Sequence, residues 1–530
     1  MKKTLLSLAA ILCFTLGSVA QVWIQQGLGF TTASRGVQNI SIATNQIAWV
    51  SAYDGTGGTT GCQDLSVTVN AGTHWTPHVV NNATGLAFSM LSAVDANTAW
   101  AAMYKATGSS AQGVYYTTNG GTTWTHQASA LYTNSASFPD WIYFWDANNG
   151  TVLGDPISGI FEIYTTTDGG ANWTQVPAAN IPVAVSGEYG YTSNVCVYGD
   201  NIWFGTNKGH IYASTDRGVH WTATIPPNMT GKNTFPAFQN ATTGLCMKYI
   251  SSADTLLLLD KSTDGGVSFT VLPYTSSPFN GDIKYVPGTT STYFSSGVDY
   301  TNQPNRLGDT YSFDGGTSWI VDPNMYGTQV VNSAWLNDST GWIGGFNTDA
   351  TDGINKFNSV LAPPTADFYS EDTIITYGGT AHFTNLSLGK PTTFSWTFTG
   401  GTPASSTLKN PPAVLYVTPG DWNVKLTVGS DFGTNTLTKI GYIHVWMVGV
   451  NDHSKATISM YPNPVTDYIN INSTVNVKEV EVINLIGQVV LSQSFDSKTI
   501  TMNTTSLKAG VYNLKVKLQD GVVNKKIVVN

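Results

Sequence analysis

The sequence predicts an all-β chain whose first two-thirds close into a β-propeller, and three observations carry that prediction. Beyond residue 20, short alternating strands bounded by polar turns recur and helical periodicity is hard to find. An eight-residue phrase, Ser/Thr-x-Asp/Asn-x-Gly-x-x-Trp/Phe, is restated six times, beginning at Thr68, Thr117, Thr166, Ser214, Ser262 and Ser312. Its closing aromatics, Trp75, Trp124, Trp173, Trp221, Phe269 and Trp319, are spaced by 49, 49, 48, 48 and 50 residues. A fixed period of that length, holding several short strands per unit, is the signature of blades stacked around an axis.

The elements follow in order. Lys2 and Lys3, an apolar run from Leu5 to Leu16 and the small residues Gly17, Ser18 and Ala20 predict a signal peptide over residues 1–20. The run is too short to span a bilayer comfortably, and no later stretch is long and apolar enough, so the mature chain is expected to lack a transmembrane segment. The propeller is expected over 21–361. Between the phrases a second motif recurs, a strand, a polar turn and an aromatic-anchored strand, as in V-D-A-N-T-A-W at 94–100 and W-L-N-D-S-T-G-W at 335–342. Seven such units against six phrases predict seven blades, six or eight remaining open. The N-terminal V-W-I-Q, with Trp23 to Gln26, is expected to supply the missing outer strand of the last blade. After A-P-P-T-A at 362–366 the repeat stops. A domain over 362–446, a linker over 447–457 and a final domain over 458–530 follow, both domains expected to be small Ig-like β-sandwiches. Asp520-Gly521 reads as a two-residue hairpin turn.

Composition removes several functional classes. The net charge is −9 and Arg occurs only at 35, 217 and 306, so the basic stripe of a nucleic-acid binder is missing. Cys62, Cys196 and Cys246 sit at no metal-ligand spacing, and neither a metal nor a cofactor is expected; one disulfide among them stays open. There is no nucleophile elbow and no glycine-rich phosphate loop between strand and helix.

Asn70, Asn119, Asp168, Asp216, Asp264 and Asp314 hold the same place in the six phrases. A turn repeated in every blade is not one active site, so these residues read as turn staples: Gly takes the special backbone angles and Asp or Asn accepts the turn's own amides. Carboxylates outside the phrases are the candidates for acid–base chemistry, with Asp140, Asp155, Glu162 and Glu188 foremost and Asp282, Asp299 and Asp309 behind them. In F-P-D-W-I-Y-F-W-D at 138–146, Trp141 and Trp145 are candidates for stacking on sugar rings.

The phrase resembles the Asp-box (BNR) repeat of sialidases, sortilin-like receptors and photosystem assembly-factor-like propellers. A sialidase, by that resemblance, needs three arginines to grip its substrate carboxylate; this chain has only three, and Arg217 lies inside a phrase, in a peripheral turn, so no triad can be assembled. The segment F-T-N-L-S, W-T-F and Y-V-T-P-G-D-W-N-V-K-L-T-V between 383 and 428 resembles a PKD domain, which implies a spacer or adhesive module. The tail, with M-Y-P-N-P-V-T-D-Y-I-N-I at its start and K-A-G-V-Y-N-L-K-V near its end, resembles the type A sorting domain of the type IX secretion system. That implies a Bacteroidetes-type source, Sec export, recognition of 458–530 by the type IX machinery, and a product that is secreted or displayed on the outer cell surface. The expected activity is non-catalytic binding of an extracellular glycan or protein by the propeller. The alternative is a polysaccharide-active glycoside hydrolase with a carboxylate pair on the propeller face.

Overall fold

A computed structural model describes residues 22–58, 60–248, 257–298, 307–322, 325–430, 432–446, 456–519 and 521–530. The expected signal peptide, Asp299, Asp520 and all but the last two residues of the expected linker lie outside the described residues. The described chain is β throughout apart from one three-residue 3-10 turn, Ala178–Asn180. It divides into two compact units, the first comprising 1–368, 385–395 and 426–437, the second 369–384, 396–425 and 438–530.

Between Trp23 and Phe357 the described strands form seven four-stranded antiparallel sheets. Six run in simple chain order, as in Arg35–Ile42, Ala48–Asp54, Asp64–Thr68 and Thr76–Val79. The seventh joins Asn332–Asn337, Thr340–Gly344 and Gly353–Phe357 to the N-terminal strand Trp23–Gly27. Trp23 pairs with Phe357 and Gly27 with Gly353, so the last sheet is completed by the first strand of the chain, as the sequence predicts. Trp23 is 2% exposed, packs edge-on against Trp335 and Phe357, and donates its indole N–H to Tyr311 Oη and Asp322 Oδ2, each at 3.2 Å.

The strands are more apolar than half-buried strands need to be because each sheet is covered on both faces. In Ala99–Lys105 the first five side chains are wholly buried. Trp100 lies flat on Phe144 of the next sheet at 3.5 Å and 6°, and Trp203 lies on Phe238 of its neighbour at 4.0 Å and 3°. The glycines that open two of the second strands, Gly150 and Gly244, follow from this packing. A Cβ on Gly150 would come 2.5 Å from the Phe144 ring, so the aromatic can cover that strand only where no side chain rises.

Over 374–446, a five-stranded sheet contains Thr393–Phe398, Gly420–Ser430 and Gly433–Trp446, and a three-stranded sheet pairs Gly379–Ala381 and Gly401–Thr402 with Val414–Tyr416. Within Gly420–Ser430, Val424, Leu426 and Val428 are buried while Lys425 is exposed, the alternation that W-N-V-K-L-T-V predicts. The C-terminal sheet joins Ile458–Tyr461, Tyr468–Ile483, Gly510–Leu518 and Gly521–Val529, and Val489–Asn503 also pairs with Tyr468–Ile483. Leu514, Val516 and Leu518 are buried on one face; on the other, Lys517 holds Glu479 at 2.8 Å and Glu481 at 2.7 Å.

Candidate functional site

The repeated phrase forms one hydrogen-bonded turn, built six times. In the copy at 166–173, Thr166 donates its hydroxyl to Asp168 Oδ1 at 2.9 Å and accepts the Gly170 N–H at 2.9 Å. The same carboxylate oxygen accepts the Asn172 N–H at 2.9 Å. These three bonds recur around Asn70, Asn119, Asp216, Asp264 and Asp314. The side-chain amide of Asn172, and then its backbone N–H, hold the Asp168 carboxyl below the usual range. The turn needs two successive residues at positive φ. Gly169 and Gly170 supply them at 72° and 82°, whereas Ala71 and Arg217 occupy the first position at 57° in their own copies. All six closing aromatics are buried. The turns also serve as contacts between sheets: Trp100 donates its indole N–H to Gly169 O of the following sheet at 3.0 Å, and Trp203 to Gly265 O at 2.7 Å.

Four carboxylates stood out in the sequence as acid–base candidates, and the fold places them in two groups. Asp140 is buried on the strand Pro139–Phe144, and its carboxyl lies beside that of Asp155. Burial, then the neighbouring Asp155 charge, pushes Asp140 well above the carboxylate range. Burial raises Asp155 to about 6, against the Gly190 N–H that it accepts at 2.9 Å. Glu162, raised chiefly by burial, lies beside the Ser137 hydroxyl. Glu188 is held elsewhere. Burial opposes its charge, but His210 Nδ1 at 2.7 Å, Thr206 Oγ1 at 2.7 Å and the Val185 N–H at 2.9 Å leave its carboxyl below the ordinary value. Asp282 pairs with Lys284 at 3.3 Å and accepts the Ser333 hydroxyl at 3.2 Å, and Asp309 is buried against the Tyr311 hydroxyl at 3.2 Å.

The first strands of successive sheets surround a centre that residues 189–194 enter. Ser193 donates its N–H to Asp140 O and its hydroxyl to Ser89 O at 2.8 Å, while Gln38 donates to Thr192 Oγ1 at 3.2 Å. This segment therefore ties the third and fourth sheets to the first and second. A Cβ on Gly190 would meet Asp140 Oδ2 at 2.7 Å, so any side chain there would have to displace that buried carboxyl.

Two cavities flank the crossing, and Ser193, Lys284 and Asn332 line both. One, of about 530 Å³, takes the later residues of the first strands, including Asn39, Phe238, Tyr285 and Trp335. The other, of about 380 Å³, takes their beginnings, including Gln38, Phe235 and Asp282, together with Tyr53 and Tyr191. Both fall within the usual range of small-ligand sites, about 300–1,000 Å³. Neither cavity was legible in sequence, because it depends on which loop reaches the centre.

The two tryptophans singled out for stacking part company. Trp141 is 0% exposed, packed between Phe204 and Trp221, and has no face for a sugar ring. Trp145 is half-buried; the Arg217 guanidinium lies 5.2 Å from its ring centre and Tyr143 meets it edge-on. Cys62, Cys196 and Cys246 are all free thiols, so the disulfide left open by the sequence does not form. No group of His, Cys, Asp and Glu among the described residues is arranged to hold a metal ion, and no helix among them is long and apolar enough to cross a membrane.

Comparisons with known proteins agree with this architecture. Residues 361–445 match the PKD domain and residues 459–530 the secretion system C-terminal sorting domain. The chain is accordingly a modular all-β protein with a propeller-like N-terminal region, directed by type IX secretion to the cell surface or extracellular space. No curated protein matches it. Among solved structures, YCF48 from Cyanidioschyzon merolae is 14% identical with a TM-score of 0.45, over 64% of this chain and 99% of that one. YCF48 bound to a D1 peptide is 15% identical with a TM-score of 0.42, over 64% and 98%. The GH74 xyloglucanase from Xanthomonas campestris is 12% identical with a TM-score of 0.35, over 96% and 87%.

Proposed function

We propose that the propeller is a non-catalytic binding module for an extracellular glycan or protein, that residues 362–446 space it from the surface, and that residues 458–530 engage the type IX machinery. The observation that carries this reading is the disposition of the acids. A glycoside hydrolase needs two carboxyls about 5–9.5 Å apart with the scissile bond between them. Asp140 and Asp155 instead lie beside each other at Gly190, whose N–H Asp155 accepts, and Glu188 is engaged by four partners. In the cavity of about 530 Å³, Lys284 is the one charged side chain among the described lining residues. Amides, hydroxyls and aromatic rings around such a space recognise a ligand without cutting it.

On this reading the six repeated turns are structural, since each uses its Asp or Asn oxygens on its own backbone and hydroxyls. The test is retention of the purified full chain on insoluble polysaccharides, set beside capture of surface proteins on the immobilised chain. Specific retention or capture supports a binding module. Rapid depolymerisation of a retained polysaccharide contradicts it.

A further inference from the structure

The cavity of about 380 Å³ differs from its neighbour in a way that selects a ligand. Three aromatic rings border it: Tyr53, Tyr191 and Phe235. Tyr191 and Phe235 lie 6.2 Å apart at 26°, so their faces run nearly parallel, and Tyr53 is held edge-on by Phe346 at 5.6 Å. All three are half-buried, with part of each ring left to the solvent side. Gln38, Thr192 and Asn332 also line it; Gln38 Nε2 donates to Thr192 Oγ1 at 3.2 Å and Asn332 Nδ2 to the Gln38 backbone carbonyl at 3.1 Å, which fixes both side-chain amides. The charged side chains on the wall, Asp282 and Lys284, neutralise each other at 3.3 Å, and Asp282 also accepts the Ser333 hydroxyl.

Each feature has a chemical counterpart. Pyranose rings present apolar C–H faces that pack on flat aromatic surfaces, and their hydroxyls both donate and accept, as amide and hydroxyl side chains do. An anionic sugar would need an uncommitted guanidinium or ammonium group, as charge-assisted recognition of carboxylate or sulfate requires. Here the one cation already faces a carboxylate.

We propose that this cavity, at the end of the propeller where the first strands begin, binds the uncharged sugar units of a neutral glycan. Tyr191 and Phe235 provide the stacking surface, and the side-chain carbonyl oxygens of the fixed Gln38 and Asn332 amides accept the sugar hydroxyls. The proposal rests on the binding-module reading and narrows it to one site and one ligand class.

The test uses the purified full chain with soluble neutral oligosaccharides (gluco-, manno- and xylo-oligomers) and with uronic-acid and sulfated oligomers of matched length. Binding is read by calorimetry at low and high salt. The neutral series is expected to bind with an affinity that salt leaves unchanged. Tyr191→Ala and Phe235→Ala should each weaken it by about tenfold, the loss of one stacked ring. Tyr285→Ala, in the other cavity, should leave it intact. Each variant is accepted only if its calorimetric melting matches the parent; Tyr191→Leu, which fills the same space without a flat ring, serves if the alanine variant unfolds. Binding of acidic oligomers alone, falling with salt, overturns the proposal and leaves the binding module standing. Neutral binding lost in Tyr285→Ala and kept in Tyr191→Ala overturns the site but not the reading. No binding to any oligomer, with a protein captured instead, overturns the glycan assignment alone. Cleavage of the oligomers overturns the binding-module reading itself.

Discussion

Replacing Trp23 by alanine should open the propeller at its seam. The side chain is 2% exposed, is walled by Phe294, Trp335 and Phe357, and gives its indole N–H to Tyr311 and Asp322. Truncating a buried aromatic of this size costs about 3–5 kcal/mol in lost transfer energy and cavity. Losing an indole donor to buried acceptors adds about 1–3 kcal/mol. Trp23→Phe keeps an aromatic ring in the pocket while removing the N–H and the rest of the indole, so it loses the hydrogen bonds with a smaller cavity than alanine leaves. The assay is differential scanning calorimetry of the full chain. A multidomain protein unfolds in several transitions, which supplies an internal reference. Trp23→Ala should lower the propeller transition by several degrees, Trp23→Phe by less, and the C-terminal transitions should not move. An unchanged propeller transition in Trp23→Ala would refute the reasoning, because the strand Trp23–Gly27 would then contribute nothing to closure.

Other perturbations test separate links. Thr166→Ala removes the hydroxyl that accepts the buried Gly170 N–H and should cost about 1–3 kcal/mol by chemical denaturation, with ligand retention unaffected. Ala71→Gly relieves a non-glycine residue at φ 57° and should raise the propeller midpoint by the equivalent of about 1 kcal/mol. Asp155 has a carboxyl raised from 3.8 to about 6, so its contribution is fully present below about pH 4 and fades as pH rises through 6. Stability profiles of the parent and Asp155→Asn should therefore diverge across that window, while parallel profiles would remove Asp155 as a titrating group. Deleting residues 458–530 should leave the protein in the periplasm, as read by fractionation, whereas normal export of the truncated chain would contradict the sorting assignment.

Much of the fold was legible because its information is local. The phrase writes a turn whose two positive-φ residues, hydroxyl and Asx oxygen all fall within eight positions, and its regular period marks the sheets. The ring closure was legible because Val22 and Trp23 repeat the strand that follows each phrase. The site was far less legible. Asp140 and Asp155 become neighbours through irregular pairing between Pro139 and Trp141 and between Gly154 and Pro156, which no alternation pattern announces. Trp141 and Trp145 sit four positions apart in one aromatic run, yet one is wholly buried because the adjacent sheet supplies Phe204 and Trp221 to cover it. The segment 189–194 reads as an ordinary connection, and only its long-range bonds to Ser89 and Gln38 bring it to the centre.

The most direct test of the central claim measures reducing-end release from any polysaccharide that retains the purified full chain, over a long incubation and beside an Asp140→Asn/Asp155→Asn variant. Retention with no release, equal in parent and variant, is the result expected of a binding module. Release by the parent that disappears in the variant would contradict the account and make those two acids catalytic.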